Sequence, residues 1–227
     1  MTTWAILVAG GEGKRFGTGQ SKLMASLDGQ PVIRRSFETL SQIPGLDGIV
    51  VVAAAPWLKQ YQACLGNCRW TEGGPSRRDS VWQGLLQLPS EANIVVVHDA
   101  ARPLVRVDRI LAAFAPVQQG MAMATSLGLP VCNTIKQVKT GQPWVEATLE
   151  RSCLWQTHTP QVFDKKTLID AHQSAPTDRV FPDDASLVEY GGYPVLMVTD
   201  SPDNLKITVP VDLVMAEAIL AHCEVTL

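Results

Sequence analysis

Short, wholly apolar runs alternate with amphipathic stretches along most of this chain. The clearest run, Ile94-Val95-Val96-Val97-His98, ends at Asp99, and similar runs lie at 4–8 and 49–53. A strand that is apolar on both faces indicates a sheet that helices cover on both sides. Because the stretches between the runs are amphipathic, the pattern predicts an α/β fold, Rossmann-like, with a mostly parallel central sheet flanked by helices.

The predicted elements follow one another in this alternating order. The predicted strands are 4–8, 49–53, 69–71, 94–98, 122–126, 194–198 and 204–208. The predicted helices are 31–42, 56–65, 76–88, 108–117, 165–173, 183–190 and 211–223.

The pattern changes between residues 131 and 151. Residues 131–138 alternate apolar or small with polar side chains, Thr140-Gly141-Gln142 supplies a turn, and 144–149 alternate again. This predicts a β-hairpin arm inserted in a single domain that spans 1–227. Because an isolated two-stranded hairpin is marginally stable in water, we expect the arm to pack on another surface, such as a second subunit.

Charge and composition exclude several classes of function. With 19 Lys and Arg against 22 Asp and Glu, the net charge is -3, which offers no basic excess for nucleic acid or a membrane surface. The five cysteines form no CxxC pair and the four histidines are scattered, so no zinc site is predicted. No stretch reaches the roughly 18 apolar residues of a membrane span and no signal peptide is recognisable, so we expect a cytoplasmic protein.

A glycine-rich loop follows the first predicted strand and reads Gly10-Gly11-Glu12-Gly13-Lys14-Arg15-Phe16. A dinucleotide-binding loop would need glycine or alanine in place of Phe16, and a Walker loop would need serine or threonine in place of Arg15. The loop instead carries its own cations, with Lys22 shortly after it. Glycines that admit a phosphate and cations that neutralise it favour phosphoryl or nucleotidyl transfer.

Several further motifs occur in a fixed order along the chain. They are Leu27-Asp28-Gly29-Gln30-Pro31, Gly73-Gly74 with Arg77-Arg78-Asp79-Ser80-Val81, His98-Asp99-Ala100-Ala101-Arg102-Pro103, Thr134-Ile135-Lys136, Thr159-Pro160-Gln161, Asp184-Ala185-Ser186 and Asp203-Asn204-Leu205-Lys206. Together with the glycine-rich loop they cover the chain from about residue 4 to 220. In these motifs the chain resembles the 2-C-methyl-D-erythritol 4-phosphate cytidylyltransferase family, which belongs to the sugar-phosphate nucleotidyltransferases and to non-mevalonate isoprenoid biosynthesis.

The resemblance implies which residues bind CTP and stabilise the reaction. Arg15, Lys22 and Lys206 correspond to catalytic, phosphate-binding cations. The residues implied to surround the nucleotide are Ala9, Gly10, Gly11, Gly13, Gly74, Ser80 and Ala100.

The resemblance also implies an acceptor site, a metal ion and a homodimer. The implied acceptor-binding residues are Asp99, Arg102, Thr134, Arg151 and Thr159. Mg²⁺ is expected with the nucleotide phosphates, with Asp99 and Asp203 as candidate ligands. Thr134 and Arg151 flank the arm, which is implied to reach a partner subunit and to share its active site.

Departures from the family pattern keep alternatives open. Asn133, His158 and Pro182 stand where the family usually has aspartate, glutamine and threonine, and they lie near the implied acceptor side. The alternatives are a ribitol-5-phosphate cytidylyltransferase, a related enzyme that transfers a purine nucleotide, and a non-catalytic nucleotide-binding domain. Retention of Arg15, Lys22, Asp99 and Lys206 favours an enzyme, because binding alone does not require cations placed for a transition state.

Overall fold

The computed structural model describes residues 1–11, 16, 21–66 and 68–225. Its strands are β1 (Thr2–Ala9), β2 (Ser26–Leu27), β3 (Gln30–Pro31), β4 (Leu46–Ala53), β5 (Arg69–Glu72), β6 (Ala92–Asp99), β7 (Ala124–Pro130), β8 (Lys136–Val138), β9 (Val145–Thr148), β10 (Trp155–Asp164) and β11 (Leu196–Thr199). Its helices are α1 (Val32–Ser41), α2 (Leu58–Leu65), α3 (Arg77–Leu86), α4 (Val107–Gln118), α5 (Lys165–Ser174), α6 (Asp184–Tyr190) and α7 (Pro210–Val225).

The main sheet has the strand order β11-β7-β10-β6-β1-β4-β5. Strand β1 lies between β4 and β6 and is parallel to both, and β5 and β11 are each parallel to their neighbour. Only β10 runs against its two neighbours, β6 and β7. The prediction of an α/β fold with a mostly parallel central sheet is therefore confirmed.

Apolar side chains of alternating strand residues pack on opposite faces of this sheet. Leu7 and Val51 belong to a cluster on one face, which α1, α4 and α7 cover. Ile6 and Val50 belong to a second cluster on the other face, which α3, α5 and α6 cover. Both faces are thus removed from water, which explains why β1, β4 and β6 have continuous apolar sequences.

Strand β10 is absent from the predicted elements. Its sequence, Trp-Gln-Thr-His-Thr-Pro-Gln-Val-Phe-Asp, has polar residues and a proline where a buried strand is usually apolar. The pairing with β7 shifts register between Thr157 and Gln161, which accommodates this segment. His158, Thr159 and Gln161 are nevertheless buried, because their side chains are hydrogen-bonded within the protein.

Residues 204–208, all of them described, form a loop and not the predicted strand. The amide side chain of Asn204 donates to the carbonyl of Thr159 at 2.9 Å and to Asp200 Oδ2 at 2.7 Å. The backbone N–H of Ile207 donates to the carbonyl of Ala101 at 2.7 Å. Such contacts satisfy the loop without a strand ladder and hold it beside the end of β6.

The inserted hairpin is present within the predicted interval. Strands β8 and β9 pair antiparallel in a sheet of their own, and every residue of both strands is exposed. Trp144, immediately before β9, is 74% exposed.

Among the described residues, no helix combines the length and apolar character needed to cross a bilayer.

Candidate active site

A cleft of about 680 Å³ opens at the carboxyl ends of β1, β4 and β6. This volume lies within the range of roughly 300–1,000 Å³ that small-molecule sites occupy. The cleft is bounded by two glycine pairs, Gly10-Gly11 after β1 and Gly73-Gly74 after β5. The charged residues of its described lining are three cations and one carboxylate: Lys22, Arg77, Lys206 and Asp99.

The glycine pairs bring bare backbone close to Ser80. A Cβ atom at Gly10 would lie 3.1 Å from the Ser80 hydroxyl oxygen, and one at Gly73 would lie 2.9 Å from it. A Cβ atom at Gly74 would lie 2.4 Å from Cβ of Asp79, closer than folded proteins allow. Glycine is therefore required at Gly74, and this part of the wall presents peptide groups to a ligand.

Helix α3 begins beside this wall with a reciprocal cap. The Ser76 hydroxyl accepts from the backbone N–H of Asp79, and the Asp79 carboxylate accepts from the N–H of Ser76. The Ser80 hydroxyl donates to the carbonyl of Ser76 at 2.9 Å. The cap thereby fixes the first turn of α3 against the cleft, with Arg77 as its first residue.

Asp99 ends β6 between two of the cations. Its Oδ2 lies 2.5 Å from Nζ of Lys206, and its Oδ1 lies 3.3 Å from both Nε and Nη2 of Arg77. Burial alone would raise the pKa of Asp99, but the charges of Arg77 and Lys206 hold it well below its usual range. Asp99 is therefore ionised at neutral pH.

Arg77 also contacts a second, more deeply buried carboxylate. Its Nη1 donates to Oδ2 of Asp184 at 2.7 Å, and Asp184 is only 1% exposed. Burial works to lower the pKa of Arg77, but the two carboxylates outweigh it and raise the pKa above the usual arginine value. Arg77 therefore stays charged between Asp99 and Asp184.

A chain of hydrogen bonds fixes the backbone of Asp99 from inside the protein. The N–H of Asp99 donates to the Thr159 hydroxyl at 3.0 Å, which lies 3.1 Å from Nδ1 of His98. Nε2 of His98 lies 3.1 Å from the carbonyl of Arg102. Because a carbonyl can only accept, Nε2 carries the proton and Nδ1 accepts from Thr159. Burial lowers the pKa of His98 to about 4, which keeps the ring neutral and this chain intact.

Lys22 also lines the cleft. Its Nζ donates to the carbonyl of Ile207 at 2.7 Å, in the loop that also carries Lys206. Ser21 caps the short helical turn that begins at Lys22, and its hydroxyl is hydrogen-bonded to the buried Tyr61 hydroxyl. The two lysines are thus placed at one cleft by a single loop and a capped turn.

The structure brings many of the predicted site residues together and leaves others apart. The predicted residues that line the cleft are Ala9, Gly10, Gly11, Lys22, Gly74, Ser80, Asp99 and Lys206. Gly13 and Arg15 lie outside the described residues, so their predicted roles stay predictions. Ala100 is buried with its N–H donated to the carbonyl of Val8, and its neighbour Ala101 lines the cleft instead.

Three predicted ligand-binding residues do not line this cleft. Arg102 is buried and donates from Nη1 to the carbonyl of Asn204 at 2.6 Å, so it holds the 200–208 loop. The Thr159 hydroxyl accepts from the backbone N–H of Asp99 and donates to Nδ1 of His98. Asp203 accepts from the Ser201 hydroxyl at 2.9 Å. In this chain the three side chains support the loop and Asp99 and are not among the residues that line the cleft, so their predicted ligand-binding roles stay predictions.

The arm residues Thr134 and Arg151 are exposed and do not line the cleft of their own chain. Nη1 of Arg151 donates to the carbonyl of Cys132 at 2.8 Å, at the base of the arm. Among the described residues, no cluster of three or more His, Cys, Asp or Glu side chains could hold a metal ion. Asp99 is the only carboxylate of the described lining.

Arg77 is the functional candidate that the sequence analysis did not single out. It stands in the quoted motif Arg77-Arg78-Asp79-Ser80-Val81, immediately after the capping Ser76. The signal that could have found it is an arginine in the first turn of a helix, where the helix dipole disfavours a cation. A cation in that place indicates carboxylate or phosphate partners.

Comparison with known proteins identifies the family of this chain. The family model "IspD: 2-C-methyl-D-erythritol 4-phosphate cytidylyltransferase" matches residues 3–222. The protein of that name from Desulforamulus reducens is 38% identical over 224 residues, covering 95% of this chain and 94% of the relative. The one from Streptomyces avermitilis is 40% identical, covering 97% of this chain and 92% of the relative.

Solved structures give the same result. The 4-diphosphocytidyl-2C-methyl-D-erythritol synthase of Anaerococcus prevotii superposes with a TM-score of 0.85 at 25% identity, over 97% of this chain and 98% of that one. The 2-C-methyl-D-erythritol 4-phosphate cytidylyltransferase of Francisella tularensis superposes with a TM-score of 0.81 at 26% identity, over 96% and 99%. This chain therefore belongs to the 2-C-methyl-D-erythritol 4-phosphate cytidylyltransferase family.

Proposed function

We propose that this protein joins 2-C-methyl-D-erythritol 4-phosphate to the CMP unit of CTP, giving 4-diphosphocytidyl-2-C-methyl-D-erythritol and pyrophosphate. The observation that carries the proposal is the cleft of a family member, lined by Lys22, Lys206 and the Arg77–Asp99 pair beside a wall of glycines. The two lysines suit a polyphosphate, and bare peptide groups suit a small base held at close range.

In the proposed reaction, an oxygen of the acceptor phosphate attacks the α-phosphorus of CTP. A new phosphorus–oxygen bond forms, and the bond from that phosphorus to the oxygen bridging the β-phosphate breaks. The electron pair leaves with pyrophosphate. Lys22 and Lys206 stabilise the negative charge that develops on the transferring and leaving groups, because fixed cations in a partly desolvated cleft act more strongly than in water. Arg15 is proposed as a third such cation.

The glycine pairs and Ser80 form the proposed nucleotide wall. A Cβ atom would clash with Asp79 at Gly74, at 2.4 Å, and would crowd the Ser80 hydroxyl at Gly73 and Gly10, at 2.9 and 3.1 Å. Peptide N–H and C=O groups can then approach the cytosine ring and ribose. Asp99 is proposed to accept from a ligand hydroxyl, because it lines the cleft and its lowered pKa keeps its carboxylate ionised.

We propose Mg²⁺ as the cofactor, carried mainly by the nucleotide phosphates. The described lining fits such an ion with one carboxylate, Asp99, and Mg²⁺ commonly takes only one or two protein carboxylates beside phosphate and water. When bound, it would neutralise phosphate charge and favour departure of pyrophosphate.

We also propose a homodimer in which the arm of each subunit completes the other's acceptor site. The arm pairs with no other strand of the described chain, and it exposes Trp144 by 74% and Val145 by 56%. Arg151 and Thr134 would then bind the acceptor phosphate of the partner's site.

We propose that the enzyme is cytoplasmic. The four cysteines whose side chains are described are free thiols, as is usual in that compartment.

The deciding experiment measures pyrophosphate release by the purified protein with Mg²⁺ and CTP. Two parallel reactions are compared, one with 2-C-methyl-D-erythritol 4-phosphate as the acceptor and one with ribitol 5-phosphate. Release with the first acceptor only is the expected result. Release with the second only would keep the chemistry and reject the acceptor, and no release with either would reject the proposed activity. Replacing CTP by ATP or GTP tests the base in the same assay.

A further inference from the structure

Arg77 joins carboxylates from two different elements of the fold. Its Nη1 donates to Asp184 at 2.7 Å, at the start of α6, and its Nε and Nη2 reach Asp99 at 3.3 Å, at the end of β6. We propose that Arg77 is a positioning residue, anchored by Asp184, that holds the Asp99 carboxylate in place during nucleotidyl transfer. This inference rests on the proposed function and extends it to two residues that the family comparison does not assign.

Asp184 has the properties of an anchor. It is 1% exposed, and its backbone N–H donates to Oε1 of Gln161 at 3.1 Å. The same Gln161 oxygen accepts from the N–H of Ala185, and the Gln161 amide donates to Asp183, the N-cap of α6, at 2.8 Å. The start of α6 is thereby fixed to β10. A carboxylate placed this rigidly determines where the guanidinium of Arg77 lies.

The Asp99 carboxylate needs Arg77 as a second partner because its other partner, Lys206, is also proposed to bind phosphate. Lys206 is 42% exposed at its side chain and is the proposed ligand of a phosphate. When Lys206 contacts phosphate, its pairing with Asp99 weakens. Arg77 is 24% exposed and presents a planar fork of donors, so it can keep Oδ1 of Asp99 in place while Lys206 moves. Without Arg77, the Asp99 carboxylate would have Lys206 as its remaining ion-pair partner. It would then compete with the phosphate for the Lys206 ammonium group.

The test removes both members of the buried pair together. Removing Arg77 alone would leave Asp184 as an unpaired buried charge and could unfold the protein. In the double variant Arg77→Met/Asp184→Leu, two apolar side chains of similar size replace the pair. We expect this variant to unfold near the wild-type urea midpoint and to bind CTP in an equilibrium assay. We expect its kcat to fall on the order of 100-fold, because a displaced carboxylate spoils the reacting geometry. A wild-type kcat in this folded variant would overturn the proposal.

A double-mutant cycle shows whether Arg77 acts through Asp99. Asp99→Asn is made alone and together with Arg77→Met/Asp184→Leu. If Arg77 works by positioning Asp99, the pair replacement costs little further kcat once Asp99 is an asparagine. If the pair replacement lowers kcat by the same factor in the Asp99→Asn background as in the wild type, Arg77 acts on the nucleotide independently of Asp99, and the proposal is overturned. Arg77→Lys keeps one charge but cannot bridge both carboxylates. We expect its kcat to lie between those of the wild type and of Arg77→Met/Asp184→Leu.

Arg78 provides a matched control on the same helix. Its guanidinium donates to the carbonyls of His172, Ala175 and Pro176, at 2.6 to 2.9 Å, and these contacts direct it away from Asp99. Arg78→Met should therefore lower the urea midpoint and leave kcat near the wild-type value. A loss of kcat as large as that of the Arg77 variant would indicate a general effect of α3 and overturn the positioning role.

An inactive wild-type protein would reject the proposed function and leave the positioning role to a structural readout. Crystal structures of the wild type and of Arg77→Met/Asp184→Leu would then be compared at Asp99. Displacement of the Asp99 carboxylate in the variant supports positioning by Arg77. An unmoved carboxylate overturns it, whatever reaction the cleft performs.

Discussion

The Nζ of Lys206 lies 2.5 Å from Oδ2 of Asp99, although 107 positions separate the two residues in the chain. Asp99 ends a strand buried in the sheet, whereas Lys206 belongs to a loop held beside that strand by Ile207 and Asn204. The carboxylate is therefore rigid and the lysine is accessible. We therefore expect Lys206 to exchange Asp99 for a phosphate of the substrate by moving its side chain alone.

Replacing Lys206 by alanine should lower kcat by about 10²–10³, the usual loss when one charge-stabilising donor is removed from an active site. Its side chain is 42% exposed, so the free energy of unfolding should change by no more than about 1 kcal/mol. Pyrophosphate release and urea unfolding measure the two quantities. Lys206→Arg serves as the charge-retaining control. An unchanged kcat in Lys206→Ala would remove this residue from the mechanism.

Replacing Thr159 by valine tests whether its hydroxyl supports Asp99. Valine has the same shape but leaves the buried N–H of Asp99 without its acceptor, so we expect a loss of about 1–3 kcal/mol of stability. We also expect kcat to fall, since Asp99 loses its backbone restraint. Thr159→Ser keeps the hydroxyl and should retain activity. If Thr159→Val raised only the KM of the acceptor, with normal stability and kcat, Thr159 would be an acceptor ligand as the sequence analysis expected.

Gly11 offers a steric probe of the nucleotide wall. A Cβ atom at Gly11 would meet no atom of the described residues within 4 Å, and Gly11 lines the cleft. Gly11→Ala should therefore leave the melting temperature unchanged while raising the KM for CTP by about tenfold or more, equivalent to about 1.4 kcal/mol of lost binding. Gly74→Ala, with its 2.4 Å clash against Asp79, should lower the melting temperature as well. Equal CTP kinetics in Gly11→Ala and the wild type would place the nucleotide elsewhere.

Mixed dimers test the proposed sharing of active sites. Arg151 is exposed on the arm and is absent from the cleft of its own chain, so Arg151→Ala should chiefly raise the KM of the acceptor. A dimer that combines one Arg151→Ala subunit with one Lys206→Ala subunit has one site carrying both defects and one site carrying neither. Purified mixed dimers should recover up to half of the wild-type activity. Activity no higher than that of the two parents would contradict the shared site.

Acidification should destabilise the protein through its buried histidines. Burial lowers the pKa of His98 and of His172 from 6.5 to about 4. The folded state then binds fewer protons than the unfolded state between these values. Stability is therefore complete above about pH 6.5 and falls toward pH 4, by about 1.4 kcal/mol per pH unit for each histidine.

The variant His172→Phe should reduce this acid sensitivity. His172 packs on Trp82 with ring centroids 5.4 Å apart, and its buried Nε2 has no hydrogen-bond partner among the described residues. Phenylalanine keeps the ring and removes the titrating group. Urea unfolding at about pH 7 and about pH 5 should show a smaller loss of stability in the variant than in the wild type. Equal losses would mean that His172 does not titrate in this range.

The order of elements in the chain was largely determined by local sequence. Continuous apolar runs predicted β1, β4 and β6, because a strand buried on both faces is usually apolar at every position. The position of Asp99 directly after such a run placed it at the carboxyl edge of the sheet. Family motifs then predicted Lys22 and Lys206 as phosphate-binding cations, and the structure places both at that edge.

Tertiary structure alone decided how the remaining polar residues are used. Strand β10 carries Thr159 and Gln161, which are buried only because His98, Asp99 and Asp183 lie opposite them. The segment at 204–208 has the residue pattern of a strand, but the side chain of Asn204 takes partners that make a loop more stable. Arg77 became a site residue because α3, β6 and α6 meet there. Hydrophobic periodicity is a local property of the chain, whereas the partners of a buried charge come from distant segments and exist only once those segments have packed together.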